Sequence, residues 1–445
     1  MDGEKFSVEA GKPILCKAAV ARKPGEPLVI EEIIVAPPSH HEVRVRIICT
    51  SLCQSDVTFW KLKDLPAVFP RILGHEAIGV VESVGEDVDE VVEGDVVIPV
   101  FLPDCGDCAD CKSKKSNLCS KLPFQVSPWM PRDKTSRFTN LKGEVLYHFL
   151  NVSSFSEYTV VDTAHIVKID PSIPPSKACL LSCGVSTGVG AAWRTANVEA
   201  GSTVVIFGLG SIGLAVAEGA RISGATKIIG VDVNQEKFEI AKKFGVTDFV
   251  NVGECGDKPV SQVINEMTGG GADYCFECVG LVSLMEQAYA CCRKGWGKTI
   301  ILGVEKPESR VSLPCADVLQ SGKTLTGALF GGLKAKSDIP ILLKRYMDKV
   351  NFSFLAYHGL SKTVVIQQYN WLDNVTSFFV FAIRGTILCV HVTVSRIFLV
   401  PSGHIKHLSS YFPLGDLCFG MLILSGFADA CLLTKCFSLS GTGVG

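Results

Sequence analysis

The chain has 445 residues, more than one hydrophobic core usually organises, so two or more domains are expected, and 47% apolar residues supply material for them. A formal net charge of -2 and a pI near 6.5 provide neither a basic field for nucleic acid nor an acidic tail, which leaves a small-molecule function as the default. The 19 cysteines are dispersed, and the opening "MDGEKFSVEAGKP" shows no basic segment followed by an apolar one, so the expected location is cytoplasmic.

From about residue 14 to residue 170, short β-branched runs alternate with Gly, Pro and Asp turns, as in "EVRVRIICTSLC", "EAIGVVESVG" and "GDVVIPVFL". This predicts a β-rich, barrel-like domain. Near residue 186 the period changes, and "STVVIFGLGSIGLAVAEGARISGATKIIGVDVNQEKFEIAKKFG" alternates apolar strand and amphipathic helix. That pattern predicts βαβ units and a parallel sheet, continuing to about residue 325. "PILLKRYMDK" then reads as a helix.

Beyond Lys349 the character shifts. Only 8 of the 88 charged residues lie between Val350 and Gly445, and none of them is Glu. Those charges still interrupt each apolar run short of the ~18 residues that a spanning helix needs, so no membrane anchor is expected.

"GLGSIG" (Gly208, Leu209, Gly210, Ser211, Ile212, Gly213) follows the strand "TVVIF" and opens a helix, and Asp232 closes the next strand 19 residues after Gly213. Alone such a glycine turn is weak evidence, but strand, helix and acidic residue together predict a dinucleotide site with its pyrophosphate at the helix N-terminus. Asp232 is expected to accept hydrogen bonds from the adenosine ribose and to repel a 2′-phosphate, favouring NAD over NADP. Lys237 either reaches the same ribose or is an ordinary solvated lysine.

Two cysteine-bearing sets suggest metal. In "PDCGDCADCKSKKSNLC", Cys105, Cys108, Cys111 and Cys119 have the spacing C-x2-C-x2-C-x7-C. A closed set of four thiolates leaves no position for substrate and suits a structural zinc. An iron-sulfur cluster competes, although the bacterial ferredoxin run ends C-x3-C-P. The second set, Cys53 in "CQSD", His75 in "GHE" and Cys183 in "SCGVSTG", is weak residue by residue. Together, two thiolates and an imidazole with an open fourth position make a catalytic zinc set. Cys275 and Cys278 also spell C-x-x-C, but they fall on an expected buried strand, where core packing is the expected role.

These residues, with "TSRF", "FSEYTVVD" and "SGKTLTGALFGGLKAKSDIP", resemble the zinc-dependent medium-chain alcohol dehydrogenases and their plant alcohol dehydrogenase-like branch, from about residue 10 to Lys349. The resemblance implies an α/β chain: a GroES-like β-barrel catalytic domain over residues 1–185, carrying a zinc lobe at 103–119, and a Rossmann NAD-binding domain over 186–325. Residues 326–349 would begin a return to the catalytic domain. Residues 350–445 form an atypical C-terminal extension with no family counterpart, expected to be disordered. It also implies a homodimer whose subunits meet through the Rossmann edge strand, placed near "GKTIILGV".

Carried over position by position, the resemblance makes Cys53, His75 and Cys183 ligands of a catalytic zinc and the four-cysteine run the ligands of a second, structural zinc. Asp56 would orient His75, Glu76 would stand as a carboxylate near that zinc, and Ser55 would take the alcohol proton. Phe101 falls in the substrate pocket. Thr187, Val279, Gly303 and Val304 fall around the nicotinamide, which receives the hydride, and Gln54 falls at the pyrophosphate.

Three departures from the family are visible. Gln54 stands where a cation is usual, so faster cofactor release is expected. Thr58 stands where a histidine often completes the proton relay. From Val350 onward the usual ending is replaced, which suggests a translated non-coding extension. Low turnover, or none, is therefore expected despite an intact catalytic set. Oxidation of primary alcohols leads, dehydrogenation of S-(hydroxymethyl)glutathione is the alternative substrate reading, and a non-catalytic remnant is the alternative from a different class.

Overall fold

A computed structural model describes residues 11–61 and 68–348, together with the strands Val365–Gln367, Ser377–Ile383 and Thr386–Val392. The chain divides into two compact units, residues 1–96, 127–161 and 359–445 in the first and 97–126 and 162–358 in the second.

The first unit is built on antiparallel sheet. One sheet runs in the order Arg71–Ile72, Ile14–Ala21, Val29–Val35, Phe138–Asn140, Val145–Leu146. In its first long strand Ile14, Cys16 and Ala18 are buried while the intervening Leu15 is 58% exposed, the alternation of a sheet with one covered face. A second sheet pairs Glu42–Ser51 with Glu76–Val84, and register shifts at Arg44/Val45 and Ile47/Cys49 bend the pair. Val43, Val45, Cys49, Ile78 and Val81 from these strands enter the core. The pair also ends the two strands side by side, Ser51 opposite Glu76, which sets Cys53 and His75 at neighbouring strand ends.

The second unit contains a six-stranded sheet, ordered Asp248–Asn251, Lys227–Asp232, Thr203–Phe207, Tyr274–Glu277, Lys298–Ile301, Thr324–Gly327, with every adjacent pair parallel. This is the order of a doubly wound dinucleotide-binding sheet, whose ligand crevice opens where the order reverses, here between Thr203–Phe207 and Tyr274–Glu277. Val204 to Phe207 are all fully buried, as a central strand covered on both faces requires. Val205, Phe207, Ile229, Val231, Ile264 and Ala288 form one core cluster. Cys275 lies in that cluster beside Cys291 and Cys292. Lys298–Ile301 is an inner strand, so the sheet edge expected near "GKTIILGV" is supplied instead by Thr324–Gly327.

Most of residues 350–445, and with them the expected disordered extension, lie outside the described residues. Within that stretch Val365–Gln367 pairs antiparallel with Glu42–Ser51, and Ser377–Ile383 pairs with Thr386–Val392. Among the described residues no helix is long and apolar enough to cross a membrane.

Candidate active site and metal centres

In the first unit one carboxylate organises the reactive end. Asp56, 1% exposed on the helix Gln54–Lys61, accepts from the Cys53 amide at 2.8 Å and from the Gly74 amide at 2.9 Å. Its Oδ1 also meets His75 Nδ1 at 3.1 Å. The turn that delivers His75 depends on Gly74: its φ is +93°, and a Cβ there would lie 2.4 Å from Phe155 Cδ1. With Nδ1 on Asp56, Nε2 becomes the ring's ligand atom. Burial pushes the imidazolium down, but the charges of Asp56 and Cys53 more than offset it and leave His75 well above the usual histidine range. The ligand atoms of Cys53, His75 and Glu76 all lie within 4.8 Å of one another. A thiol and a carboxylate-backed imidazole at that separation suit a zinc ion. On the same helix Ser55 is half-buried, while Gln54 and Thr58 are exposed.

In the second unit Cys183 is 8% exposed and directly precedes the helix Gly184–Gly190, which carries the half-buried Thr187. The glycine turn lies at the end of Thr203–Phe207, where Gly210 caps the helix Ser211–Ile222. A Cβ on Gly213 would lie 1.9 Å from the Gly208 carbonyl oxygen, so that helix can pack on the turn only through glycine. Beside Gly210 there is open space, with no heavy atom within 4 Å of a Cβ built there, which is the room a pyrophosphate needs at a helix N-terminus.

Asp232 accepts from the Leu209 amide at 2.8 Å, the Asn234 amide at 2.9 Å and Lys237 Nζ at 2.7 Å. Burial raises its carboxyl, but the Lys237 bond and the two amides outweigh that and hold it below the usual carboxylate range. Lys237 is therefore an ion-pair partner of Asp232 rather than a merely solvated lysine. Val279, Gly303 and Val304 follow the carboxyl ends of the two strands next to the crevice, and Val279 and Val304 are 47% and 80% exposed apolar residues there.

The four-cysteine lobe also belongs to the second unit. Its ligand atoms all lie within 4.8 Å of one another, with Cys105 and Cys111 Sγ 3.8 Å apart and Cys108 and Cys119 Sγ 4.0 Å apart. A tetrahedral ion with Zn–S bonds near 2.3 Å requires sulfurs about 3.8 Å apart. Backbone amides of Cys108, Cys111 and Leu122 point at Cys105, Cys108 and Cys119 Sγ respectively, at 3.4, 3.3 and 3.3 Å. Hydrogen bonds led by Ser120 pull the Cys108 thiol down to about 5, whereas desolvation above all pushes Cys111 and Cys119 up. Four thiols so crowded could hold a dication, which would take all four as thiolates.

Phe101 is 7% exposed and stands edge-on to Phe124 and Phe330, at centroid distances of 5.6 and 5.4 Å. The sequence reading did not single out Phe330, nor Asn117 and Lys334, which bond across to each other's segments. The only available signal was "ALFGG", whose paired glycines mark a tight turn.

The model of the alcohol dehydrogenase GroES-like domain matches residues 39–171, and that of the zinc-binding dehydrogenase matches residues 211–347. Over 338 residues the chain is 75% identical to alcohol dehydrogenase-like 7 of Arabidopsis thaliana, covering 76% of this chain and 87% of that one. Over 366 residues it is 48% identical to the alcohol dehydrogenase class-3 of Oryza sativa subsp. japonica, covering 82% and 95%. Among solved structures it is similar to an alcohol dehydrogenase zinc-binding domain protein from Burkholderia ambifaria, at 31% identity and TM-score 0.71, covering 77% of this chain and 91% of that one.

Proposed function

We propose, proceeding from a chain that belongs to the zinc-dependent medium-chain alcohol dehydrogenases and to their plant alcohol dehydrogenase-like branch, that this oxidoreductase converts primary alcohols and aldehydes into one another with NAD. The observation that carries the reading is Asp56, which ties the Cys53 amide, the Gly74 amide and the His75 ring into one arrangement. Cys53, His75 and Cys183 would hold the catalytic zinc, and the four-cysteine lobe the structural one. When bound, the catalytic zinc supplies Lewis-acid polarisation of the alcohol oxygen, and NAD supplies the hydride acceptor.

The chain's own residues do the rest. Asp56 keeps the proton on His75 Nδ1, so that the imidazole keeps one orientation. Ser55, two residues beyond Cys53, takes the alcohol proton and passes it outward along a helix whose next solvent-facing hydroxyl is Thr58. Val279 and Val304 offer apolar surface for the nicotinamide, and Asp232 accepts from the adenosine ribose while its charge disfavours a 2′-phosphate. Glu76, buried at 4% exposure, adds a negative charge near the zinc ligands.

Primary alcohols are favoured over S-(hydroxymethyl)glutathione because Phe101 is set among aromatic rings, which give glutathione carboxylates nothing to bind. A homodimer is supported by the edge strand Thr324–Gly327, whose outer side offers peptide groups for pairing with a second copy. The test is NADH formation by the purified chain with primary alcohols, with S-(hydroxymethyl)glutathione, and with NADP in place of NAD. Slow turnover on alcohols with NAD alone is expected. A preference for the glutathione adduct would move the substrate reading to the alternative, and absence of turnover with both zinc sites filled would favour a non-catalytic remnant.

A further inference from the structure

The four-cysteine lobe and the turn at residues 329–334 hold each other by bonds that neither zinc ligation nor the sheet requires. Asn117, two residues before Cys119, donates from Nδ2 to the carbonyls of Leu329 at 2.8 Å and Leu333 at 3.2 Å. In return Lys334 donates from Nζ to the Asp110 carbonyl at 3.2 Å and to the carbonyl of the ligand residue Cys111. From another side Thr195 Oγ1 donates to the Gly331 carbonyl at 3.1 Å. The clamp is thus reciprocal: the lobe donates to the turn, and the turn donates to the lobe.

What the clamp holds is strained. Phe330 is not glycine, yet it has φ 52° and ψ 29°. A bulky residue stays in the left-handed region only where its surroundings over-determine it, and such residues gather at functional sites. Its ring is 1% exposed and meets Phe101 edge-on at 5.4 Å, with an interplanar angle of 90°. Phe101 precedes the first lobe cysteine, and Phe124, on its other side at 5.6 Å, follows the last. Phe101 therefore links Phe124 at the lobe's far root to Phe330 of the turn, and the bonds from Asn117 and Lys334 tie the lobe to the same turn.

We propose that Asn117 and Lys334 are positioning residues, through which the zinc-bearing lobe sets the Phe330 turn and, with it, the Phe101 wall of the alcohol pocket. The pocket half of this statement rests on the alcohol dehydrogenase reading, and the clamp half does not. Chemistry constrains both positions to donors. An aspartate at 117 would aim a carboxylate at two carbonyl oxygens, and a methionine at 334 would leave two carbonyls with no cation.

The experiment uses the full-length zinc-loaded chain and the variants Asn117→Leu, Asn117→Asp, Lys334→Met and Lys334→Arg. Zinc content, amide hydrogen exchange over residues 328–334, and kinetics on a short and a long primary alcohol are measured together. The amides of Gly331 and Leu333, which donate to the Ala328 and Phe330 carbonyls at 3.1 Å, are the local reporters. In Asn117→Leu and Lys334→Met, zinc content should match the parent chain while exchange at those amides accelerates at least about tenfold, since each variant loses two hydrogen bonds across the clamp. KM for the long alcohol should rise about tenfold with kcat nearly unchanged, because a displaced pocket wall weakens binding of the chain end and not the hydride step. Asn117→Asp should be at least as severe as Asn117→Leu, and Lys334→Arg should restore parental exchange and KM.

Unchanged exchange and unchanged KM in Asn117→Leu, with zinc retained, would overturn the proposal. Accelerated exchange without a change in KM would overturn its pocket half. If the parent chain has no turnover, the alcohol dehydrogenase reading fails separately, and exchange at Gly331 and Leu333 still decides the clamp.

Discussion

Asp56 shows how much chemistry one side chain can concentrate: its carboxylate receives the nearby Cys53 amide and, from 18 and 19 residues away, the Gly74 amide and the His75 imidazole. Asp56→Asn preserves the volume but offers an amide where two acceptor oxygens are needed. We expect zinc affinity at Cys53 and His75, read by chelator competition, to fall 10- to 100-fold, on the order seen when such supporting partners are removed, and the thermal midpoint to fall as well, because a buried amide loses its acceptor. Thr58→His should restore an ionisable relay and shift the pH-rate profile, and an unchanged profile would count against the proton path through Ser55.

His148 supplies a pH prediction away from the chemistry. Fully buried, its Nε2 accepts from the Arg137 amide at 3.0 Å while its Nδ1 has no hydrogen-bond partner among the described residues. Desolvation first, then the Arg137 charge, push its pKa down to about 3. The unfolded chain binds a proton there near pH 6.5, so stability is complete above that pH and is lost as pH falls from about 6.5 towards about 3, by up to about 4 kcal/mol. His148→Gln keeps the acceptor without the titration, and its stability should fall less between pH 7 and pH 5 by chemical denaturation. At this scale residue types were legible from the sequence. The partners of Asp56 and His148 were not, because backbone amides brought together by distant turns leave no mark on composition or spacing.

Among elements, the parallel sheet was the most legible, since a continuous apolar strand, a glycine turn and an amphipathic helix are local patterns. Gly213 is the point where that local rule becomes tertiary. Gly213→Ala would place a methyl 1.9 Å from the Gly208 oxygen, and NADH binding, read by fluorescence titration, should weaken by about 100-fold or more. The edge strand was misplaced for an equally physical reason. "TLTG" is short, mostly exposed and ends in glycine, so it lacks the apolar run that marked its neighbours. The lobe's cysteines announced a metal site by spacing alone, whereas its attachment through Asn117 and Lys334 spans more than 200 residues and could be found only in the fold.

For the whole molecule the contrast is between residues up to 348, which include the two candidate metal sets, and the charge-poor stretch from Val350. Replacing residues 350–445 by the ending of a relative should raise turnover on primary alcohols by about tenfold or more, if that ending supplies a charged contact to the cofactor. The proposed division of labour puts chemistry at Cys53, His75 and Cys183 and architecture in the four-cysteine lobe. The most direct test measures zinc per chain, thermal midpoint and NADH formation side by side in Cys53→Ser and Cys108→Ser. Cys53→Ser should keep the lobe's zinc and the fold and lose turnover, while Cys108→Ser should lose the lobe's zinc and chiefly stability. Equal loss of folding in both variants, or turnover surviving in Cys53→Ser, would contradict it.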